Sequence, residues 1–411
     1  MRVLFLTDNF PPEVNAPATR TFEHCKHWVD QGAQVTVITG FPNFPQGKVY
    51  EGYKNQRVQK EQIQGMEVIR VWTFIHANKG FFRRTADYLS FALSSFFAGL
   101  FQKPDIIVAT SPQFFTTWAG LGLSFVKRIP WVFELRDLWP ESIKSVGILQ
   151  DGVIYRILEK IELFLYKKAD HIIPNSDAFK KNLISRGIPS EKISVIPNGS
   201  NLELFAPDTA DPELIHLLGL QNKFVIGYFG THGMSHALDF VVQSIAKLNN
   251  NQIHFLFIGN GSEKSKIVKL AESYKLRNIT FLDSVPKQQM PKYLALIDVS
   301  LVSLKKHDTF KTVIPFKIFE AAAMGKPVLL GVDGEARKII EEYQAGLFFK
   351  PENSDDLISK IRKLSNDKKT YEHLSKGGFR LAKAFNRKSL ANEMLSILEK
   401  VAKPGPVHVN K

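Results

Sequence analysis

Residues 224–261 read FVIGYFGTHGMSHALDFVVQSIAKLNNNQIHFLFIGNG and contain a complete strand–helix–strand pattern. An apolar run at Phe224–Tyr228 leads into a glycine-containing turn, and a helical pattern covers His236–Leu248. A second apolar run at His254–Ile258 is followed by Gly259-Asn260-Gly261. Short apolar runs that alternate with helical segments are typical of a parallel sheet covered by helices. This stretch therefore predicts a doubly wound α/β domain.

The same alternation occurs in both halves of the chain, on either side of a turn-rich stretch at residues 197–221. We therefore predict two Rossmann-like domains at residues 1–200 and 222–385, a linker at 201–221, and a C-terminal helix and tail at 386–411 that pack back on the first domain. Two such domains that face each other form a cleft lined by the carboxyl ends of their strands. The predicted strands are Val3–Thr7, Gln34–Thr39, Gly65–Phe74, Asp105–Ala109, Trp131–Leu135, His171–Pro174, Ser194–Ile196, Phe224–Tyr228, His254–Ile258, Thr280–Leu282, Val299–Leu304 and Val328–Leu330.

Composition limits the class of protein. The chain has 411 residues, of which 44% are hydrophobic and 23% charged, as is usual for globular domains. Cys25 is the single cysteine, which excludes an internal disulfide and a cysteine-based zinc site and indicates a reducing compartment. The formal net charge of +14 suits nucleic acid, anionic lipid or phosphorylated small molecules, although a solvated basic surface gives the same number. No apolar stretch approaches the roughly 20 residues of a membrane-spanning helix.

Several motifs that define other enzyme classes are missing from the sequence. No G-x-G-x-x-G follows the first strand, and there is no G-x-x-x-x-G-K-[ST] phosphate loop. There is no G-x-S-x-G nucleophile elbow, no H-E-x-x-H zinc motif and no convincing Asp-x-Asp pair to hold a metal against a diphosphate. Nicotinamide-dependent, ATP-hydrolysing and zinc-protease functions are therefore excluded.

Two strand-to-helix turns are candidates for binding phosphate. A helix that begins after such a turn presents backbone N–H groups to phosphate oxygens, although ordinary loops share this composition. The candidate residues are Asn15, Ala16, Thr19 and Arg20 in the first turn and Gly230, Thr231, His232 and Gly233 in the second.

Residues 310–330, FKTVIPFKIFEAAAMGKPVLL, place Lys317 and Glu320 three positions apart and therefore on one helix face. A carboxylate near a helix start is well placed to accept hydrogen bonds from a ribose diol. The alternative is a surface ion pair between the two side chains, worth about 0–1 kcal/mol.

With these motifs in view, the chain resembles a GT-B glycosyltransferase of the retaining family 4 over nearly its full length. The resemblance rests on the two-domain pattern, on VIPNG at residues 195–199 and on KIFEAAAMGKPV at 317–328. The motifs FPPE at 10–13, RDLWPES at 136–142 and GTHGM at 230–234 resemble the branch that contains L-fucosamine-type transferases of bacterial surface-polysaccharide assembly. The implied fold is α/β, with two doubly wound domains facing across a cleft.

The resemblance implies that the second domain binds a nucleoside-diphosphate sugar and that no metal or other cofactor takes part. The base of the nucleotide stays open, and the resemblance to this branch favours a UDP-linked donor. Glu320 matches the second acid of the E-x7-E motif, which holds the ribose, whereas Thr312 stands where the first acid would fall. Thr231 and His236 stand where the family often has Arg and Lys, so other cations must meet the diphosphate. The candidates for this are Lys305, Lys306, Lys311 and Lys317, and Val285 lies in the backbone segment that would hold the base.

The first domain would bind the acceptor, a glycan or a polyprenyl-diphosphate-linked sugar. Asp137 is then the nearest group able to orient or deprotonate an acceptor hydroxyl, and Glu134 is the second candidate for this role. Arg136, where many relatives have histidine, would clamp an acceptor phosphate or the leaving diphosphate. The alternative is that Asp137 caps the following turn.

Residues 81–101 form a predicted helix that is apolar on nearly all sides and flanked by basic residues. Such a helix is either fully buried or lies at a membrane interface. Each Phe transferred from water contributes about 1.5–3 kcal/mol, and each basic residue about 1 kcal/mol on an anionic leaflet. We expect peripheral attachment to the inner face of the plasma membrane through Phe91, Phe96, Phe97, Arg83 and Arg84.

The sequence therefore predicts a cytoplasmic, membrane-peripheral glycosyltransferase of hexosyl or N-acetylhexosaminyl type. Three alternatives remain at this point: a nucleotide-sugar epimerase of the same fold, a catalytically silent sugar- or nucleotide-binding module, and a nucleic-acid-binding protein suggested by the net charge alone. The chain lacks a basic helix or an aromatic sheet motif for nucleic acid, so no specific nucleic-acid partner is expected.

Overall fold

The computed structural model of the chain describes residues 1–44, 47–75, 81–111, 113–141 and 152–403, without the side chains of Phe81, Phe82 and Arg84. Its residues form two compact units. The first comprises Met1–Pro197 and Lys388–Lys411, and the second comprises Asn198–Arg387.

The first unit is built on a seven-stranded sheet in the order β3-β4-β2-β1-β5-β6-β7. All neighbouring strands are parallel except β3, which pairs antiparallel with β4 at the edge. The strands are β1 (Arg2–Leu6), β2 (Gln34–Gly40), β3 (Val58–Ile63), β4 (Met66–Val71), β5 (Ile106–Thr110), β6 (Trp131–Leu135) and β7 (His171–Pro174). The helices are Ala16–Asp30, Phe81–Leu100, Phe114–Lys127, Val153–Lys168, Asp177–Ser185 and Arg387–Ala402.

Helices cover both faces of this sheet because its central strands are apolar on both sides. The residues Val3–Leu6 of β1 are no more than 1% exposed, as expected for a buried parallel strand. One core lies around Trp131, and the other includes Trp28 and residues of the C-terminal helix. The indole Nε1 of Trp28 donates to the carbonyl oxygen of Ala391 at 2.8 Å, which ties that helix to the first unit.

The second unit is built on a six-stranded parallel sheet in the order β10-β9-β8-β11-β12-β13. The strands are β8 (Phe224–Phe229), β9 (Ile253–Ile258), β10 (Ile279–Leu282), β11 (Val299–Ser303), β12 (Val328–Gly331) and β13 (Gly346–Phe348). The helices are Pro212–Leu217, Leu238–Leu248, Lys264–Ser273, Met290–Ala295, Lys317–Ala323, Glu335–Tyr343, Ser354–Asn366 and Lys368–Ala384.

Each sheet contains one point at which the strand order reverses direction. In the first unit this point lies between β1 and β5, and in the second it lies between β8 and β11. Ligands of open α/β sheets bind in the crevice outside the carboxyl ends of the strands at such a point. The loops that follow these four strands are therefore where a site is expected in each unit.

The stretch predicted as a linker, 201–221, is part of the second unit instead. Phe205 and Leu220 are buried in the core of that unit, and Asp211 caps the short helix Pro212–Leu217. The chain passes from one unit to the other at Pro197–Asn198, upstream of the predicted boundary. The predicted strand Ser194–Ile196 is also absent from both sheets, since the pairing there is a single bridge between Ile193 and Ile172.

Candidate active site

In the second unit, the turns after β8 and β9 are packed backbone against backbone. A side chain on Gly259, whose φ is 149°, would place its Cβ 1.9 Å from the carbonyl oxygen of Gly230. A Cβ on Gly261 would lie 2.3 Å from the carbonyl oxygen of His232. Glycine is required at both positions, because any larger residue would force the two turns apart. The two turns are thus held together at the point where the strand order reverses.

Lys264 ties these turns to the end of β10. Its Nζ donates to the carbonyl oxygens of Gly259 at 2.9 Å and Leu282 at 2.8 Å, and to the Asp283 carboxylate at 2.6 Å. With a further bond to Asn260 Oδ1 at 3.0 Å, this half-buried lysine holds the ends of β9 and β10 together. Lys264 cannot be selected from the sequence, because nothing in its local pattern distinguishes it from a surface lysine.

Lys317 lies beside the turn after β8. Its Nζ is 3.7 Å from the ring centroid of Tyr228, a cation–π distance, and the Tyr228 hydroxyl donates to the carbonyl of Thr231 at 2.6 Å. Burial lowers the pKa of Lys317 to about 7, and the carboxylate of Glu320 offsets part of that effect. The lysine is therefore divided between its charged and neutral forms near neutral pH.

Two histidines complete this group. His232 is fully buried, and within the described residues neither of its ring nitrogens has a hydrogen-bond partner. Burial lowers the pKa of His232 to about 4, with Lys264 and Lys317 adding to the effect. Burial and Lys317 likewise lower the pKa of His236 to about 3. Both imidazoles are neutral at pH 7, so each can donate one N–H to a ligand oxygen.

Glu320 follows in the same helix, Lys317–Ala323. Its Oε1 lies 3.8 Å from Nζ of Lys287. Lys317 does not serve as its close ionic partner, since the lysine instead lies over Tyr228. Val285, predicted to lie where the base is held, is half-buried against the core two residues before Lys287.

The structure brings together Gly230, His232 and Lys317 but places Lys311 elsewhere. Lys311 is exposed, forms a 2.7 Å ion pair with Asp308, and lines a different cavity with Asp333. The prediction that Lys311 contacts the donor stays a prediction, since Lys311 lines a cavity separate from the group around Lys317. Thr231 is exposed and Gly233 is half-buried at the same turn.

In the first unit, a cavity of about 330 Å³ lies at the ends of β1 and β5. It contains three carboxyl groups, from Asp8, Glu13 and Asp87. Burial raises the pKa of Asp8 to about 6. Burial likewise raises the pKa of Glu13 to about 7, and burial together with the other two carboxyl groups raises that of Asp87 to about 7. We refer to these three side chains and the cavity they line as the carboxyl pocket.

Hydrogen bonds fix two of the three carboxyl groups. Asp8 Oδ2 accepts from the side-chain amides of Asn9, at 3.0 Å, and Gln113. Glu13 Oε1 accepts from the backbone N–H groups of Asn43 at 2.7 Å and Phe44 at 2.8 Å. None of these acids can be selected from the sequence, because they become neighbours only when the ends of separate elements meet.

Of the residues predicted in the first turn, Asn15 lines the carboxyl pocket and caps the helix Ala16–Asp30, accepting from the N–H of Ala18 at 2.8 Å. Ala16 is exposed and Thr19 is half-buried. Arg20 has a structural position: it is 1% exposed and donates to the carbonyl oxygen of Pro197 at 2.7 Å. It is not available to a phosphate, so that prediction is wrong.

Glu134 is likewise structural. It is 1% exposed and its Oε1 accepts from Arg20 Nε at 2.8 Å. Burial alone would raise the pKa of Glu134, but Arg20 and Arg136 hold it below its ordinary value. A buried, ion-paired carboxylate cannot serve as the reserve base, so this prediction is also wrong. Arg136 and Asp137 are half-buried at the end of β6, and the N–H of Arg136 donates to Ser111 Oγ at 2.8 Å.

The helix Phe81–Leu100 is apolar, but its phenylalanines have different surroundings. Phe91 is fully buried in the core, so the prediction that it contacts a membrane is wrong. Phe97 is 60% exposed, Arg83 is exposed, and the side chain of Arg84 lies outside the described residues. Phe96 lines an apolar cavity of about 460 Å³ between this helix and its neighbours. The other residues of this cavity are Leu89, Ala92, Leu93, Phe114, Phe115, Trp118, Ala119, Gly122, Trp139, Leu158 and Ile161.

Two features are absent from the described ranges. None of the helices there combines the length and the apolar character needed to cross a bilayer. The same residues contain no group of three or more His, Cys, Asp or Glu side chains placed to hold a metal ion.

Comparison with known proteins identifies the class. Residues 18–204 match the family model described as Glycosyltransferase Family 4, and residues 217–380 match that of Glycosyl transferases group 1. The two matches correspond to the two units, and both sheets have the Rossmann-like arrangement of the GT-B fold. The chain is therefore a glycosyltransferase of the GT-B fold.

Individual relatives are distant but extend over most of the chain. It is 25% identical over 374 residues to WcaI of Escherichia coli K12, which is named for colanic acid biosynthesis; the match covers 88% of this chain and 91% of that one. Sucrose-phosphate synthase from Thermosynechococcus elongatus has a similar fold, with a TM-score of 0.79, 17% identity, and coverage of 97% and 98%. HepE of Anabaena, in complex with UDP and glucose, gives a TM-score of 0.73, 19% identity, and coverage of 97% and 99%.

Proposed function

We propose that the chain is a retaining, metal-independent glycosyltransferase that uses a UDP-linked sugar and acts in surface-polysaccharide biosynthesis. The observation that carries the proposal is His232, buried beside Lys317 with both ring nitrogens lacking a partner among the described residues. A buried polar group of this kind is costly unless a ligand completes its hydrogen bonds. A diphosphate would do so, because its oxygens accept from neutral imidazole N–H groups and from a charged lysine.

The donor half of the reaction follows from this group. Lys317, His232 and His236 would hold the diphosphate and stabilise the negative charge that grows on it as the bond to the sugar breaks. The carboxylate of Glu320 would accept the ribose hydroxyls, and Val285 would lie against the base. Lysine and imidazole N–H groups of the protein would thus neutralise the diphosphate, a role that a metal ion has in metal-dependent transferases. The UDP bound in HepE supports UDP as the nucleotide.

The acceptor half is assigned to the first unit. Asp137 would orient or deprotonate the acceptor hydroxyl, and Arg136 would contact an acceptor phosphate. The new glycosidic bond would form on the face that the diphosphate leaves, which keeps the anomeric configuration. The similarity to WcaI supports a polysaccharide precursor as acceptor, and the motifs at residues 10–13 and 136–142 support the L-fucosamine-type branch with a hexosyl or N-acetylhexosaminyl donor.

We also assign membrane contact to the first unit, with a polyprenyl-diphosphate-linked glycan as acceptor. Exposed Leu93, Phe97 and Phe101 lie along and just beyond the helix Phe81–Leu100, and Phe125 is 83% exposed in the helix beside it. Arg57 and Lys60 line the same cavity as Phe97 and Phe101, and exposed apolar side chains near basic residues suit the interface of an anionic leaflet. Binding to vesicles that contain anionic lipid, weakened by Phe97→Ser and by salt, would support peripheral attachment at the inner face of the plasma membrane.

The first experiment is a thermal-shift titration with UDP, GDP, ADP and CMP without added metal. A ligand at about 100 times its Kd stabilises a protein by about 2.7 kcal/mol. A shift with UDP, lost in His232→Leu, supports the donor site, and no shift with any nucleotide overturns it. Product analysis with donor alone then distinguishes transfer from epimerisation or a silent binding module.

A further inference from the structure

The carboxyl pocket has unusual electrostatics for a site in a chain of net positive charge. Asp8, Glu13 and Asp87 line it, and its remaining described lining consists of neutral side chains. Arg70 is the cation behind Glu13, and it is already bound: its Nε pairs with Glu61 at 2.5 Å and its Nη1 donates to the carbonyl of Gly40 at 3.1 Å. The pocket is therefore acidic, without a lysine, arginine or histidine among the described residues that line it.

The pocket also contains acceptor atoms that a ligand could complete. Glu13 is 4% exposed, and within the described part of the chain its Oε2 has no hydrogen-bond partner. The Oε1 of Gln113 is also buried and has no hydrogen-bond partner among the described residues. In its charged form Glu13 offers Oε2 only as an acceptor, as does the amide oxygen of Gln113, so the missing partners are donors. The occupant must therefore bring N–H or O–H groups into a cavity of about 330 Å³, large enough for one sugar ring.

The charge on the ligand decides which hydrogen-bonding group suits the carboxyl pocket best. A sugar hydroxyl would satisfy the oxygens but would leave three close carboxyl groups facing one another. A protonated amine would satisfy the same oxygens and also offset that repulsion, since charge-assisted hydrogen bonds are about twice as strong as neutral ones. A carboxylated sugar would add a fourth like charge.

We propose that the carboxyl pocket binds an acceptor sugar that carries a free amino group, and that Asp8, Glu13 and Asp87 select it over neutral and carboxylated sugars. This inference rests on the proposed function, because it identifies the chemical class of the acceptor for that reaction. Raised pKa values of all three carboxyl groups agree with it, since a bound cation would return them to their charged forms. Among the described residues, Tyr50 and Tyr88 are further ionisable groups near the pocket, and Arg83 lies one helical turn before Asp87.

The test uses the full chain with the nucleotide site filled by UDP. Four probes are titrated by calorimetry at pH 7: the methyl glycosides of glucosamine, N-acetylglucosamine, glucose and glucuronic acid. The proposal predicts that the free amine binds about tenfold or more tighter than the other three. It also predicts that this probe alone releases protons, measured as a difference in heat between two buffers, because the amine lowers the pKa values of the carboxyl groups.

Matched variants assign the effect to the pocket. Glu13→Gln keeps an oxygen for the backbone N–H groups of Asn43 and Phe44, so the fold is retained while the charge is removed, and Asp87→Asn removes the second charge. Each should lower the preference for the amine, whereas Glu51→Gln, an exposed acid of the same unit, should keep it. Equal affinity for all probes, preference for the carboxylated sugar, or no binding of any probe up to its solubility limit would overturn the inference. UDP binding, measured separately in the same protein, shows whether the transferase proposal fails as well.

Discussion

The position of Lys317 makes a quantitative prediction about nucleotide binding. Burial lowers the pKa of this lysine to about 7, while a bound diphosphate would raise it again by supplying the missing counter-charge. The charged form of Lys317 is the one that binds the diphosphate. It therefore makes up about half of the protein near pH 7 and about a tenth of the protein near pH 8. Affinity for UDP should fall as pH rises from 7 to 9, by roughly 50-fold or about 2.3 kcal/mol.

The assay is calorimetric titration of UDP at pH 7, 8 and 9, in two buffers with different heats of ionisation. Binding near pH 8 should take up nearly one proton. Lys317→Arg stays charged throughout this range and should flatten the pH dependence, whereas Lys269→Gln, an exposed lysine of the same unit, should leave it unchanged. The reasoning about Lys317 is refuted if the wild-type affinity is constant between pH 7 and 9, or if Lys317→Arg shows the same fall.

Three other predictions concern Glu320, Asp137 and Glu134. Glu320→Ala should weaken UDP binding by about 1.5–3 kcal/mol in calorimetry, and unchanged affinity would remove Glu320 from the site. Asp137→Asn should lower turnover more than donor affinity in steady-state kinetics, and a normal rate would favour its role as a turn cap. Glu134→Ala should lower the free energy of unfolding by about 3–5 kcal/mol in urea because it leaves the Arg20 charge buried; Glu159→Ala, whose carboxylate is half-exposed, should cost less than about 1 kcal/mol.

The sequence is sufficient to predict the α/β fold because the apolar sequence pattern of the central strands matches their burial in the structure. In β1, β5 and β6 nearly every residue is apolar and buried; the exceptions are Arg2, which is exposed, and the buried polar residues Thr110 and Glu134. The edge strands are less predictable. β3 alternates exposed and half-buried residues, and β13 is three residues long, so neither produces a strong local pattern. Both strands were missed for that reason.

Site residues divide along similar lines. Lys317 and Glu320 can be selected from sequence because they lie in one short motif. Arg20 and Glu134 cannot be assigned correctly in the same way, because the ion pair that occupies them joins residues 114 positions apart. The carboxyl pocket is a further case, since Asp8 follows a strand, Glu13 lies in a loop and Asp87 lies on a helix. Local pattern identifies such residues as polar but does not show that the fold makes them neighbours.

The two units use the same fold for opposite electrostatic tasks. At its switch point the second unit holds a half-buried lysine and two neutral histidines, groups that donate to an anion. At its own switch point the first unit holds three carboxyl groups, of which Glu13 is buried and Asp8 and Asp87 are half-buried, and these accept from hydroxyl or amino groups. Burial pushes the pKa values toward neutrality in both cases, downward for Lys317 and upward for the acids, so each site carries less than its full charge until a complementary ligand arrives. The second unit then selects an anionic nucleotide-sugar, because the anion returns Lys317 to its charged form. The first unit selects a sugar acceptor that offers O–H or N–H groups, because these groups favour the charged carboxylates.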